Sequence, residues 1–377
     1  MWESRDAGRT ARRVRRTLSS ALSLALFVAL GCGGGSDTAR SNGSPEHGGV
    51  AEGHAKVPRG AGVVEATGDP THGWYRCADQ STRVRGFGKL RAVDLAELSG
   101  MTPWRLGSAS GLLLVSDADD GSLFFLDTAT ERLTPIPVSS PGIGGEPEGV
   151  AVAGDGRLLV ATEPHCSDTC EEPGRLQTLV RSEGRFVPQV AATPLETAPG
   201  ICADGNCWYE AVAAFRDGSV VLGKERDPPM LLLLDDGLRL TETLDATALV
   251  QTLGLGADTG AAGPVARLIE LATRIQVQIA GLAAWHEGDL EYLAVVNRLQ
   301  RRLHVLRHDR TTVPARLIHQ NTCCYRLPER SWFGEVEAVA AERSPTGELT
   351  LHLGLDTGLA PSPIYSTTLR SVTQLCE

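Results

Sequence analysis

The chain has 377 residues, of which 42% are hydrophobic, 22% charged, 42 Gly and 21 Pro. Gly plus Pro stays below the roughly 25–30% of low-complexity chains, which excludes a mainly disordered protein, and the length can bury a sizeable core. The net charge is -10, yet residues 1–31 carry six Arg against Glu3 and Asp6, which leaves -14 (30 basic, 44 acidic) on the remainder. A surface of that sign repels phosphate backbones, so nucleic acid is excluded as a partner.

Arg12-Arg13-Val14-Arg15-Arg16 precedes an apolar run from Leu18 to Gly31. These are the charged and hydrophobic regions of an export signal, and the run is shorter than the ~20 residues that span a bilayer. Val28-Ala29-Leu30-Gly31-Cys32 resembles a bacterial lipobox, with Ala29 where Leu is usual. That resemblance implies cleavage after residue 31 and lipidation of Cys32. The other reading is an ordinary signal peptide followed by a chance Cys. Gly33-Gly34-Gly35-Ser36 opens a polar stretch to about residue 70, a composition that behaves as a flexible tether. The expected layout is a signal over 1–31, a lipidated tether over 32–70 and a folded domain over 71–377. Gly33, rather than Asp, after Cys32 points to an outer-membrane lipoprotein of the bacterial envelope, facing the periplasm or the surface.

Nine Cys are present, and assigning Cys32 to lipid leaves eight: Cys77, Cys166, Cys170, Cys202, Cys207, Cys323, Cys324 and Cys376. An even number in an exported chain implies disulfides. Cys166/Cys170 and Cys202/Cys207 are spaced as local staples, and Cys77 and Cys376 bracket the folded part. Cys323-Cys324 forms a vicinal bridge or pairs elsewhere. A metal site around His165, Cys166 and Cys170 is the competing reading, without the paired CxxC knuckles that would support it.

From about residue 70, short apolar runs alternate with Gly-Asp, Asp-Gly and Pro turns, which predicts strands. Aligned, they repeat. Glu148-Gly149-Val150-Ala151-Val152 leads through Asp155-Gly156 to Arg157–Glu163. Glu210-Ala211-Val212-Ala213-Ala214 leads through Asp217-Gly218 to Ser219–Glu225. Further copies start at Ala280 and Glu337, and a degenerate one spans Gly111–Asp117. Each copy is an antiparallel meander that cannot bury both faces alone, so several pack radially into an all-β propeller. The spacing predicts six blades, with five as the fallback and a two-sheet sandwich as the structural alternative. Residues 261–278 supply either a short helical insertion or the sixth blade. Residues 78–100 or 369–375 complete a split blade.

Two acidic rows emerge from the alignment. The first strand opens on Glu148, Glu210, Ala280 and Glu337; the second ends on Asp117, Glu163, Glu225, Asn297 and Asp356. Equivalent positions of successive blades face one axis, so the carboxylates converge. Convergent like charges raise one another's pKa or need a cation, and hard oxygen donors suit Ca²⁺. The alternatives are a structural role, each Glu accepting backbone N–H bonds from the next blade, and a catalytic one. The expected metal ligands are Glu148, Glu163, Glu210, Glu225, Glu337, Asp117 and Asp356. Lys224, Arg226 and Asn297 are expected to contact a bound ligand. The basic run Arg298–Arg302 reads as a solvated strand edge, with a grip on an anionic ligand as the alternative.

The segments 147–163 (PEGVAVAGDGRLLVATE), 205–233 and 280–306, with Gly223-Lys224-Glu225-Arg226-Asp227-Pro228 at a strand end, resemble the SdiA-regulated propeller family. Phytase-like and esterase-like secreted propellers share the repeat grammar. Ala211 and Ala338 depart from that pattern, where Gly usually follows Glu. The resemblance implies a six-bladed envelope propeller with Ca²⁺ and no established reaction. Two functions follow as expectations: a non-catalytic scaffold that binds Ca²⁺ and a ligand or partner, or a Ca²⁺-dependent phosphoester or ester hydrolase. GxSxG, HExxH and P-loop signatures are missing, and no pattern indicates oligomerisation.

Overall fold

The computed structural model describes residues 84–139, 142–163, 174–189, 193–194, 209–225, 228–250, 277–298, 301–327, 335–358 and 361–376. All belong to one compact unit, 62–377. The export signal, Cys32, the tether, Arg226 and Cys77, Cys166, Cys170, Cys202 and Cys207 lie outside the described residues, as does nearly all of the 261–278 insertion.

Two short strands come first, β1 (Val84–Gly86) and β2 (Gly88–Val93). Blade I is β3 (Leu98–Leu106), β4 (Ala109–Ser116), β5 (Asp119–Asp127) and β6 (Leu133–Pro137). Blade II is β7 (Glu146–Val152), β8 (Leu158–Glu163), β9 (Arg175–Ser182) and β10 (Arg185–Pro188), with β11 (Thr193–Pro194) also pairing to β9. β12 (Tyr209–Ala214), β13 (Val220–Lys224), β14 (Met230–Leu234) and β15 (Leu240–Asp245) form blade III. Blade IV is β16 (Ile279–Glu287), β17 (Leu290–Asn297), β18 (Arg302–Asp309) and β19 (Arg316–Arg326), to which β1 adds in parallel. Blade V comprises β20 (Glu335–Arg343), β21 (Leu349–Asp356) and β22 (Ser362–Leu369), and β2 supplies its outermost strand.

The innermost strands touch in the cyclic order β3, β7, β12, β16, β20 and back to β3. A ring of five antiparallel sheets is a five-bladed β-propeller, the fallback of the sequence reading rather than its preferred six. The long interval between Glu210 and Ala280 suggested a missing blade, but β12 packs directly against β16, so no blade fits there. The split blade is completed by residues 88–93, whereas Val372–Cys376 forms a 3₁₀ turn.

The two-residue period of the strands leaves both faces of each inner sheet apolar, and β8 and β13 are buried throughout. Five hydrophobic clusters fill the spaces between neighbouring blades; between blades IV and V, for instance, Trp285, Tyr292 and Val296 meet Val339, Leu351 and Tyr365. Each blade thus buries its two faces against two neighbours. No helix among the described residues is long and apolar enough to cross a membrane.

Candidate functional site: an acidic axial mouth

All five innermost strands share one irregularity at one place. Their pairing register skips from Leu98 to Gly100, Pro147 to Gly149, Tyr209 to Ala211, Ile279 to Gly281 and Val336 to Ala338. The skipped residues are Ser99, Glu148, Glu210, Ala280 and Glu337. A bulge re-aims its extra residue away from the regular ladder. Here all five line one narrow axial cavity of about 10 Å³. The first acidic row is therefore a ring of bulge residues, three of them Glu, and every one of the three is buried.

The small residue after each bulge explains how the ring closes. A Cβ at Gly100 would lie 2.8 Å from Gly149 Cα and 2.9 Å from the Glu148 carbonyl oxygen; one at Gly149 would lie 2.8 Å from Ala211 Cα. Neighbouring inner strands approach backbone to backbone at this level, which brings the bulged carboxylates together.

The second row joins the first because antiparallel pairing sets the end of each second strand beside the start of the first. Glu146 pairs with Glu163, Tyr209 with Lys224, Ile279 with Asn297 and Glu335 with Asp356. Glu163, Glu225 and Asn297 are buried here. Asp117 and Asp356 are only half-buried; Asp356 Oδ1 accepts the Gly358 amide at 2.6 Å, and the Asp117 amide donates to Ser99 Oγ at 3.2 Å. Asp356 is thus committed to a local turn, unlike the buried members of its row. Asn297 Oδ1 accepts the Gln278 amide at 3.4 Å. Lys224, expected at a ligand, is fully buried and pairs with Tyr209, next to the Glu210 bulge.

Sequence reasoning assigned Arg298 to a solvated strand edge, and the structure corrects this. Arg298 turns inward from the β17–β18 connection and is buried. It ion-pairs with Glu225 of the second row and Glu337 of the first, and its Nε sits 3.4 Å from Glu335 Oε2 and 3.0 Å from Gln278 Oε1. Burial works against the guanidinium charge, but Glu225, Glu337, Glu335 and Glu210 outweigh it and hold the pKa above its ordinary value. One arginine therefore ties blades III, IV and V together across the mouth.

On the blade II side the arrangement differs. Glu146, Glu148 and Glu163 bring carboxylate oxygens within 4.8 Å of one another. Glu146 was missed in the sequence because the repeat was read from Glu148 onward; its strand pairing to Glu163 is the signal that places it. Ser99 was missed because the first copy was aligned from Gly111, not from its inner strand.

Cys323 and Cys324 are consecutive, buried residues of a continuous ladder, so their side chains point to opposite faces of blade IV, not at each other in a vicinal bridge.

No family model and no curated protein matches the chain. Solved structures do resemble it. A thermostable family-43 glycoside hydrolase shares 9% identity at a TM-score of 0.46, with 74% of this chain and 91% of that one covered. The allergen Mala s 1 of Malassezia sympodialis gives 10% and 0.41 over 76% and 94%. The GH43 enzyme of Xanthomonas citri, complexed with xylotriose, gives 11% and 0.41 over 75% and 89%. The propeller assignment rests on the closed ring of five sheets and not on these likenesses.

Proposed function

We propose that the protein is an exported, lipid-anchored propeller of the bacterial envelope that binds Ca²⁺ in its axial mouth and engages a ligand or partner there without catalysing a reaction. The observation that carries this is the crowding of carboxylates on the blade II side of the mouth, where Glu146, Glu148 and Glu163 bring oxygens within 4.8 Å of one another. Like charges brought that close raise one another's pKa or call for a cation. An all-oxygen donor set suits a hard divalent ion, and Glu146, Glu148 and Glu163 are the residues that would hold it. The ion would supply +2 where Arg298 does not reach.

The size of the mouth favours binding over hydrolysis. Its enclosed space is about 10 Å³, far below the ~300–1,000 Å³ of ordinary substrate pockets. Arg298 is committed to Glu225, Glu337 and Glu335, and Lys224 is fully buried, so neither is presented to an incoming phosphate. The envelope location rests on the export signal and Cys32, and is supported by Cys324, whose sulfur is bonded and does not titrate. Likeness to the SdiA-regulated family agrees with the repeat. Phosphomonoester, phosphodiester and lactone substrates assayed with Ca²⁺ and with EDTA separate the readings. The proposal expects no turnover; metal-dependent turnover abolished by Glu210→Gln would establish the phosphoester or ester hydrolase instead.

A further inference from the structure

The rim opposite the acidic mouth carries a constellation of different chemistry. Asp217 lies in the turn after β12, Glu291 near the start of β17 and His308 near the end of β18. Each is thus about six residues, or roughly 20 Å, along its blade from the mouth.

His308 is buried, and its side chain is shut off from solvent. Phe215 stacks flat on it, with ring centroids 4.1 Å apart and planes 13° apart, which fixes the plane of the imidazole. Neither ring nitrogen has a hydrogen-bond partner among the described residues. A buried polar ring left in that state is costly, so its orientation calls for an explanation. Its Nδ1 faces two carboxylates, 3.5 Å from Glu291 Oε2 and 3.9 Å from Asp217 Oδ2. Both separations exceed a hydrogen bond. They approach the spacing of two ligands on one small ion, since bonds of ~2.0–2.1 Å in a tetrahedron set neighbouring donors about 3.4 Å apart.

Each carboxylate is already aimed through its other oxygen. Glu291 Oε1 accepts the Arg216 amide at 2.8 Å. Asp217 Oδ1 accepts the Ser219 amide at 3.0 Å and the Ser219 hydroxyl at 2.6 Å. The oxygens left over point toward the imidazole, and the three donor atoms lie within 4.8 Å of one another. Outer hydrogen bonds of this kind orient metal-binding carboxylates.

We propose that Asp217, Glu291 and His308 form a binding site for a small borderline divalent transition-metal ion, Zn²⁺ in the first instance, that joins blade III to blade IV. One nitrogen and two oxygens suit Zn²⁺ better than the hard Ca²⁺ of an all-oxygen site. Three protein ligands leave a fourth position for water, and Asp217, whose side chain is 30% exposed, marks the route to solvent. The groups facing the site are few. Arg310 Nε lies 3.7 Å from Glu291 Oε2 on a side chain that is 45% exposed, so it is the cation an incoming ion displaces. His286, paired with Glu291 across β16 and β17, and Arg216 complete the neighbourhood. The competing arrangement is a protonated His308 held between the two carboxylates with no ion. This site shares no residue with the mouth, so the two stand or fall separately.

The test uses metal-stripped full-length protein titrated with Zn²⁺ by calorimetry, with Co²⁺ absorption as a second readout. The expected result is one high-affinity ion per chain that millimolar Ca²⁺ does not displace, and unchanged Zn²⁺ binding in Glu148→Gln. His308→Gln and Glu291→Gln each weaken Zn²⁺ by about 100-fold or more; Ser219→Ala, which loosens only the orientation of Asp217, by about tenfold. Circular dichroism checks that the variants fold, and the partly exposed Asp217→Asn serves where a buried variant does not. The absence of Zn²⁺ binding, or binding equal in wild type and Asp217→Asn, would overturn the proposal. The first outcome assigns an imidazolium latch; the second places the ion elsewhere, as on the thiols.

Discussion

Two sides of one axial mouth use the same repeat position and residue type in different surroundings. On the side of blades III to V, Glu225 and Glu337 meet Arg298, an internal cation delivered by the β17–β18 connection. On the side of blade II, Glu146, Glu148 and Glu163 crowd within 4.8 Å, an arrangement suited to an external cation. Repetition of a blade places carboxylates together without specifying how they are neutralised. That choice sits in a loop residue outside the repeat. On the proposed reading, the arginine makes one half of the mouth permanent and leaves the other dependent on Ca²⁺.

The largest effect is expected at Arg298. Arg298→Met removes a buried cation and strands its carboxylates, which costs about 3–5 kcal/mol by denaturant unfolding. The difference between the halves would shrink, so Ca²⁺ is expected to stabilise this variant more than wild type. Equal Ca²⁺ effects on both would remove the distinction. Next, Gly149→Val places a branched side chain where even a Cβ would lie 2.8 Å from Ala211 Cα. Overpacking should cost about 1–3 kcal/mol and, by separating blades II and III, weaken Ca²⁺ through altered carboxylate spacing. Calorimetry alongside unfolding checks both.

A smaller effect on stability separates the halves in the other direction. Glu163→Gln deletes one of three crowded like charges, so in EDTA the unfolding midpoint should stay level or rise slightly, while Ca²⁺ stabilisation disappears. A large loss of stability in EDTA would mean that the blade II carboxylates are structural.

The last effect lies outside the mouth, shows only in acid and serves as a control. His304 Nδ1 bonds to the Thr322 hydroxyl at 2.9 Å, and burial, followed by His319 and Arg302, lowers its pKa to about 3. The unfolded chain takes up this proton first, near pH 6.5. Stability from the neutral ring is therefore complete above about pH 6.5 and is lost as pH falls toward 3. His304→Gln should flatten that part of the stability–pH curve and leave Ca²⁺ binding unchanged.

The sequence foretold much of this arrangement. Its five visible copies are the five blades, and three of the four first-row positions it named are buried carboxylates at bulges. Spacing could not distinguish a loop insertion from a blade, because a 70-residue interval fits either until β12 is seen against β16. Arg298 was misread because a basic run ordinarily faces water; only the ring closure shows that its side chain meets buried acids. Ser99 and Glu146 escaped for a simpler reason, since one belongs to a divergent copy and the other precedes Pro147. The histidine-centred rim was invisible, as its three ligands come from two blades and lie up to 91 residues apart in sequence.

Calorimetric titration of metal-stripped protein with Ca²⁺ tests the central proposal most directly. The account predicts one Ca²⁺ per chain, lost in Glu148→Gln and in Glu163→Gln and insensitive to His308→Gln. No binding heat in the wild type, or binding that survives both glutamine substitutions, would contradict it.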